Sequence, residues 1–367
     1  MKKIIFSEPI IDFKESSRIL DIALKKNFPN EGLLTKIFEK KIQKILNVKY
    51  AISSTSGTSA LYLALKANKV GIGDEVIIPN ITFPATANAV NMTGAKVVLC
   101  DVSKDNLLMD LNSLKKNISK KTKIIIPVHI SGRGNNIKEI IKLANKYKIK
   151  VIEDAAEAFG SRNHKKSLGT FGVCGCFSFA PNKIITTGQG GLVITNNRKL
   201  YYKIKQLKDQ GRIKSRESKN FYLYRGFNFK FTDLQASLGI SQLNKFKKRR
   251  KKLIDIYNFY KRNLIQNNKF KIIGFDVKRG ELPLWTDVYC QNTSNLYNYL
   301  KRKKIICRYF WDPINSMTPY KKNFKNLNIS KKLKNKLMWL PSSLKLSKNE
   351  LKYICLNINN FLKQNES

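Results

Sequence analysis

The stretch FSFAPNKIITTGQGGLVIT, residues 177–195, holds the end of one candidate strand, a second candidate strand and a single lysine between them. Lys183 follows an apolar run that indicates burial, and it precedes Thr186, Thr187 and a cluster of three glycines. Most of the 70 Lys and Arg residues of the chain need no role beyond solvation. A lysine between buried strands is different, because a desolvated amine can form a Schiff base with a carbonyl.

Apolar runs like the two that flank Lys183 recur through the N-terminal two-thirds of the chain. They are nearly continuous, as expected of strands that are covered on both faces, and they alternate with helical patterns. The candidate strands are residues 49–53, 75–79, 96–100, 123–129, 150–154, 174–179 and 191–195, and the helical segments between them are 59–68, 86–94 and 135–148. This alternation predicts an α/β layer fold.

The C-terminal third has a different texture. A long helical pattern begins at Asp233 and runs to about Leu264, and mixed strand and helix patterns follow it to the closing helix near residues 348–362. We therefore predict a large domain over residues 1–240 and a smaller α/β domain over residues 241–367, which the long helix enters.

Composition restricts the class of protein. The chain has 367 residues, of which 42% are apolar, so it can bury a substantial core. No apolar run approaches the roughly 20 residues of a membrane helix, and the apolar start of the chain is too short for a signal peptide. These features predict a soluble, cytoplasmic protein without membrane association.

The formal net charge of +45 raises the hypothesis of nucleic-acid binding. The basic residues are spread over the whole length, however, and the only dense cluster, KFKKRRKK at residues 245–252, lies in a helical pattern. No aromatic-interleaved basic motif is present. Specific nucleic-acid binding is therefore disfavoured, although a non-catalytic basic nucleic-acid-binding protein stays an alternative. The same charge would attract an anionic substrate such as a sugar nucleotide.

The six cysteines contain no CxxC pair, and the only histidines are His129 and His164. Zinc sites usually draw on Cys and His at short spacings. We therefore predict no metal site, and we expect the cysteines to be small buried residues in a reducing compartment.

Two further motifs accompany Lys183. The first βα turn, Ser54-Thr55-Ser56-Gly57-Thr58-Ser59, offers hydroxyls and free N–H groups to an anion at a helix N-terminus, although simple N-capping would also explain it. Glu153 and Asp154 end a buried strand, at the edge where open α/β sheets bind ligands. Pyridoxal 5′-phosphate (PLP) needs all three elements: a lysine, a carboxylate on its ring nitrogen and an anion cradle.

The sequence resembles the nucleotide-sugar aminotransferases of the DegT/DnrJ/StrS group, which are fold type I PLP enzymes. The resemblance covers nearly the whole chain and rests on several motifs in order: NEGLLTKIFEKKI, STSGTSALYLALKA, PNITFPATANAV, IIPVHISGR, VIEDAAEAFGS, CFSFAPNKIITTGQGGLVITN, YRGFNFKFTDLQASLGISQL and LPSSLKLS. It implies a large domain with a mostly parallel central sheet flanked by helices, and a smaller C-terminal domain. The NKIITTGQGG form, together with PLWTDVYC and the CRYFWDPI…TPY segment, looks most like the perosamine-synthase branch, which aminates C4 of a 4-keto-6-deoxy sugar nucleotide.

The resemblance also implies roles for individual residues. Lys183 would anchor the cofactor covalently and carry the proton, and Asp154 would keep the ring nitrogen protonated. The remaining implied cofactor contacts are Gly57, Thr58, Ser59 and Ser178 at the phosphate, Phe83 stacked on the ring, Glu157 near the ring and its 3′-oxygen, and Asn228 at the phosphate of the neighbouring subunit. A homodimer with shared sites would follow, with L-glutamate as amino donor and a ping-pong course.

The expected substrate contacts are less regular. Arg308 is expected to bind the diphosphate or nucleotide, but Asn315 stands where relatives commonly have histidine, and HISGRGNN departs from the usual loop after the fourth strand. A UDP- or dTDP-linked ketosugar, or amination at C3, therefore stays open. A sugar dehydratase of this group would carry histidine in place of Lys183, so the lysine argues against that activity.

Overall fold

The structure is a computed structural model that describes residues 3–11, 13–25, 30–134, 136–214, 220–321 and 326–364. In the first half of the chain the strands are β1 (Tyr50–Ser54), β2 (Glu75–Pro79), β3 (Lys96–Cys100), β4 (Thr122–Ile125), β5 (Lys150–Asp154), β6 (Arg162–Asn163), β7 (Lys166–Ser167), β8 (Cys174–Ser178) and β9 (Gly191–Thr195). Seven of these strands form one sheet with the order β1-β9-β8-β5-β4-β2-β3, while β6 and β7 form a short hairpin.

The central sheet is mostly parallel. Only β9 runs antiparallel, against β1 on one side and β8 on the other, and the pairs from β8 to β3 are parallel. The predicted α/β fold with a mostly parallel sheet is therefore confirmed. Because β5 and β8 are parallel neighbours, the polar residues at their carboxyl ends lie at one edge of the sheet.

One predicted strand is shorter than expected. The pattern over residues 123–129 predicted a single strand, but β4 ends at Ile125. Pro127 has no N–H to donate, and beyond it the chain keeps only an isolated bridge between Val128 and Asp154. A short 3-10 helix follows over Ile130–Gly132.

Helices cover both faces of this sheet. They are α1 (Phe13–Lys25), α2 (Leu33–Leu46), α3 (Gly57–Ala67), α4 (Ala85–Asn91), α5 (Leu111–Asn117), α6 (Ile137–Lys146) and α7 (Arg198–Leu207). The three predicted segments correspond to α3, α4 and α6 with small differences at their ends, and residue 135, where one prediction began, lies outside the described residues.

The single long helix predicted from Asp233 to about Leu264 is wrong. The chain forms two helices, α8 (Asp233–Asn244) and α9 (Phe246–Asn263), which are separated at Lys245, whose φ and ψ of −100° and 4° depart from helical values. Buried Arg249 of α9 donates to the Ile184 carbonyl at 2.9 Å and also bonds the Gln242 side chain of α8. These bonds hold the start of α9 against the preceding helix across the break.

A second sheet follows in the C-terminal third. After a small hairpin of β10 (Arg212–Lys214) and β11 (Asn220–Tyr222), the strands β12 (Phe270–Ile272), β13 (Thr286–Cys290), β14 (Arg308–Tyr309) and β15 (Leu337–Leu340) form an antiparallel sheet with the order β12-β13-β15-β14. The helices α10 (Thr293–Arg302), α11 (Asn328–Leu333) and α12 (Lys348–Gln364) accompany it. Near the N-terminus, Ile4 forms an isolated bridge with Ile305. The domain division at residue 240 stays a prediction.

All six cysteines are buried and none forms a disulfide, which confirms the expectation of small buried residues. Burial raises the pKa of the Cys100 thiol to about 12, so the thiol stays neutral near pH 7. In the described part of the chain, every helix is too short or too polar to span a membrane.

Candidate active site

A cavity of about 260 Å³ lies where the carboxyl ends of β5 and β8 meet the N-terminus of α3. Eight of the ten predicted site residues line it: Gly57, Thr58, Phe83, Asp154, Glu157, Ser178, Lys183 and Arg308. They come from five separate stretches of the sequence, so the fold alone brings them together. The two others, Ser59 and Asn228, lie outside the cavity lining.

Asp154, the last residue of β5, presents a buried carboxylate to the cavity and is only 4% exposed. Thr86 of α4 donates its hydroxyl to Oδ2 at 2.7 Å, and the Ala156 N–H donates to Oδ1 at 3.1 Å. Burial raises the pKa of Asp154 above its ordinary value, and the negative Glu157 adds to this, while the two hydrogen bonds and Lys183 oppose it. A nearby cation in the cavity would favour the ionised carboxylate.

Glu153, its neighbour on β5, has a different environment. Its carboxylate accepts backbone N–H bonds from Gly169, Phe171 and Gly172, and Nε2 of His129 lies 2.7 Å from Oε2. Successive strand residues point to opposite faces of a sheet. The two carboxylates that the sequence presents together are therefore separated, Glu153 holding the loop after β7 and Asp154 facing the cavity.

Lys183 lies in the turn between β8 and β9, with a side chain that is 12% exposed. Its N–H donates to the Ala180 carbonyl at 3.1 Å, and its Nζ donates to Oε1 of Glu157 at 3.1 Å. Nζ also lies 5.1 Å from the ring centroid of Trp285, within range of a cation–π contact. The amine is therefore fixed inside the cavity by one carboxylate and one aromatic ring.

The N-terminus of α3 forms a cradle at the end of the cavity. Ser56 and Ser59 cap the helix reciprocally, since each side chain bonds the backbone N–H of the other. This uses the Ser59 hydroxyl within the cap, and Ser59 is 5% exposed. A Cβ on Gly57 would lie 2.9 Å from Cβ of Ser178, closer than side chains allow. Glycine thus keeps the first turn of α3 close to Ser178.

The opposite wall of the cavity is aromatic and basic. Phe83 is 50% exposed, and its ring centroid lies 5.6 Å from that of Trp311. Arg308 of β14 brings a guanidinium 5.7 Å from the Trp339 ring. Asn228 is exposed, forms an isolated bridge with Asp209 and is not part of the cavity lining.

Sequence reasoning missed several residues that shape this site. Ser56 was named in the first βα turn, but its role as the N-cap that bonds the Ser59 N–H was not assigned. Thr86 was placed only within a helical pattern, although its hydroxyl bonds Asp154. Trp311 and Trp285 were assigned no role in the site, since both lie in the second part of the chain and reach the site through tertiary packing.

The comparison with known families agrees with this geometry. The model of the DegT/DnrJ/EryC1/StrS aminotransferase family matches residues 9–359 of the chain. The chain belongs to this family. It is therefore an enzyme, an aminotransferase.

Among curated members of the DegT/DnrJ/EryC1/StrS family, the chain is similar to the GDP-perosamine synthase of Escherichia coli O157:H7, with 33% identity over 98% of this chain and 99% of that protein. It is also similar to the UDP-4-amino-4,6-dideoxy-N-acetyl-beta-L-altrosamine transaminase of Campylobacter jejuni serotype O:23/36, with 33% identity over 82% of this chain and 81% of that protein.

Solved structures share the fold over almost the full length. Helicobacter pylori PseC, an aminotransferase involved in the biosynthesis of pseudoaminic acid, matches with a TM-score of 0.92 and 26% identity, covering 99% of this chain and 100% of that chain. The protein Spr1654 of Streptococcus pneumoniae in its PMP-form matches with a TM-score of 0.93 and 23% identity over 98% and 99% of the chains. A PLP-form of Spr1654 matches with a TM-score of 0.91 and 24% identity, over 99% of each chain.

Proposed function

We propose that this enzyme uses PLP to move an amino group from L-glutamate to C4 of a nucleotide-linked 4-keto-6-deoxy sugar. The observation that carries the proposal is the meeting of the Lys183 amine, the Asp154 carboxylate and the α3 cradle around one cavity. The family is one of aminotransferases, and Spr1654, which shares the fold, has both a PLP-form and a PMP-form.

The residues of the cavity fit this cofactor. Asp154 is a buried carboxylate whose own pKa is raised, so a cationic ring nitrogen would supply the counter-charge that the free protein lacks. The close approach of Gly57 to Ser178 places the first turn of α3 at the cavity. The backbone N–H groups at a helix N-terminus can bind an anion there. Ser178 and Thr58 add hydroxyls beside them. Phe83, at the opposite wall, offers a ring face for stacking.

When bound, the cofactor supplies an electron sink that lets an amino acid and a ketone exchange their nitrogen. Lys183 would hold the cofactor covalently and would carry the proton, since its Nζ enters the cavity beside Glu157. Asp154 would keep the ring nitrogen charged. Glu157 orients the amine through Oε1, while Ser131 N–H holds Oε2 at 2.8 Å. Asn228, exposed on its own chain, would complete the phosphate site of a partner subunit in a homodimer.

The names of the relatives and the positive charge of Arg308 support the choice of acceptor. The E. coli relative, which aligns over nearly its whole length, is a GDP-perosamine synthase, and this supports a GDP-linked 4-keto-6-deoxy sugar. Arg308 lies at the cavity wall, where a guanidinium can bind a diphosphate. The name of the Campylobacter transaminase refers to a UDP-linked amino sugar. A UDP-linked acceptor is therefore the second candidate.

A substrate panel tests the proposal. The PLP-loaded protein is incubated with L-glutamate and, separately, with GDP-, UDP- and dTDP-linked 4-keto-6-deoxy sugars, and the products are identified by mass and NMR. We expect a 4-amino sugar nucleotide and 2-oxoglutarate, with the fastest turnover on the GDP-linked sugar. Faster turnover of the UDP-linked sugar would select the second candidate, and no product from any of the three would contradict the proposed acceptor class.

A further inference from the structure

A chain of polar contacts leads from the Lys183 amine to the second sheet. Glu157, which accepts from Lys183 Nζ through Oε1, accepts the Ser131 N–H through Oε2 at 2.8 Å. The Ser131 hydroxyl then donates to Oδ1 of Asp287 at 3.0 Å, and Arg133 pairs with Oδ2 of the same carboxylate. Asp287 lies on β13, so the chain of contacts joins both sheets.

Arg133 is completely buried, at 0% exposure. Each of its three guanidinium nitrogens donates a hydrogen bond, Nη1 to Asp287 and the two others to backbone carbonyls. Nε donates to the Gly274 carbonyl at 2.8 Å, and Nη2 donates to the Ile273 carbonyl at 2.7 Å. The guanidinium also lies 3.6 Å from the ring centroid of Phe275. An unpaired buried charge is costly, so the pair with Asp287 strongly favours one position for the loop that carries Arg133.

Ser131 occupies the left-handed region, with φ of 52° and ψ of 11°. This conformation is costly for a residue other than glycine, and it persists when the surroundings enforce it. Here its N–H is bound to Glu157, its hydroxyl to Asp287, and its carbonyl accepts the Leu284 N–H at 2.9 Å. The bonds of its hydroxyl and carbonyl therefore fix Ser131 in this conformation, in which its N–H points to Glu157.

We infer that Arg133 and Asp287 are positioning residues for the reacting amine. Their buried ion pair fixes Ser131, whose N–H occupies one oxygen of Glu157 and thereby directs the other oxygen to Lys183 Nζ. The inference deepens the proposed function and rests on it, since it assumes that Lys183 is the reacting amine. By this inference, the position of the Lys183 amine, in the turn between β8 and β9, depends on the carboxylate of Asp287 on β13 in the second sheet.

Competitive acylation of Lys183 in the cofactor-free protein tests this inference. The protein is labelled with acetic anhydride across a range of pH, and the peptide that contains Lys183 is quantified by mass spectrometry. Besides Glu157, the charged groups that face this amine are Asp154 and Arg308, which line the same cavity, and neither is altered. Glu157→Gln serves as the reference because it removes the neighbouring negative charge directly.

The expected result is a graded shift. Glu157→Gln moves the midpoint of the labelling profile to lower pH, since a protonated amine loses its carboxylate. Asp287→Asn moves it in the same direction by a smaller amount, because Glu157 is then less well aligned. Asp101→Asn is the matched control. Asp101 is also a buried carboxylate that accepts a serine hydroxyl and backbone N–H groups, from Ser330 and Ile329, but it lies away from the cavity.

Three outcomes would overturn the inference: an Asp287→Asn profile that superimposes on the wild type, a Glu157→Gln profile without a shift, or an equal shift in the Asp101→Asn control. Should Asp287→Asn not fold, Ser131→Gly replaces it, since glycine accepts the left-handed conformation and lacks only the hydroxyl. The same downward shift is then expected, and its absence would reject the inference. No measurement here uses turnover, so failure is distinguishable from failure of the proposed function.

Discussion

The floor and the wall of the cavity are built differently. The floor, formed by Asp154, Glu157 and Lys183, is largely buried, and each side chain is bonded to another part of the protein. The wall, formed by Phe83, Arg308 and Trp311, is more exposed and is held by ring packing. A fixed floor suits proton transfer, which needs exact distances, while a wall open to solvent suits a larger substrate that enters and leaves.

This difference separates the reaction from the choice of substrate. Changes in the floor should lower the rate with every acceptor, because the same proton transfer serves both half-reactions. Changes in the wall should alter the binding of the nucleotide sugar and have less effect on the chemical step. The variants below test that separation.

The largest effect is expected from Lys183→Ala. Transamination should fall by at least about a thousand-fold with all acceptors, because Lys183 is the residue proposed as covalent anchor and proton carrier. Product formation is followed by mass spectrometry. Lys248→Ala, which removes an exposed lysine of α9, is the control and should keep normal turnover. Normal turnover in Lys183→Ala would contradict the role of the floor.

Asp154→Asn and Glu153→Gln compare two adjacent carboxylates. Asp154→Asn should slow turnover by roughly a hundred-fold or more, since the ring nitrogen loses its counter-charge. Glu153→Gln should instead lower the free energy of unfolding by about 2 to 4 kcal/mol, because Glu153 accepts three backbone N–H bonds and contacts His129. Denaturant unfolding and steady-state kinetics check both. Slow turnover in Glu153→Gln together with a loss of stability alone in Asp154→Asn would contradict the roles given to the two faces of β5.

Arg308→Ala tests the wall. We expect KM for the sugar nucleotide to rise about ten-fold to a hundred-fold with a smaller change in kcat, because a charge-assisted contact to the diphosphate is lost. KM for L-glutamate should change less. Arg308→Lys is the matched control, since it keeps the charge without the planar fork, and should give an intermediate KM. A fall in kcat alone would place Arg308 in the chemistry instead.

A smaller effect concerns stability and pH. The raised pKa of Asp154 means that the folded, cofactor-free protein keeps a proton that the unfolded chain releases. The free energy of unfolding therefore falls as the pH rises from 3.8, the ordinary pKa of the carboxyl, through the raised pKa of Asp154 in the folded protein. Asp154→Asn lacks this dependence, so its Tm relative to the wild type should increase across that window. A difference in Tm that is independent of pH would disagree with the burial of this carboxylate.

Much of the fold was predictable because it depends on local patterns. The buried strands that became β2, β3, β5 and β9 were placed at the residues where they occur, since continuous apolar runs between turn residues give a strong signal. The break at Lys245 was not predictable, because both flanking segments are helical in pattern. It depends on Arg249 reaching back to Gln242 and Ile184.

The site was predictable to the extent that its residues lie in short motifs. Asp154 ends β5, Lys183 lies in the short turn between β8 and β9, and the α3 turn begins a helix, and the order of such motifs resembled one family. The Ser131–Asp287–Arg133 contacts gave no such signal. They join residues more than 150 positions apart, and only the packing of the two sheets brings them together.

The most direct test of the central claim is borohydride reduction of the PLP-loaded protein, followed by peptide mapping. The account predicts that the cofactor becomes fixed to the peptide that contains Lys183, through its Nζ, and that Lys183→Ala protein keeps no label. Recovery of that peptide unmodified from cofactor-saturated protein, or attachment at another lysine, would contradict the account.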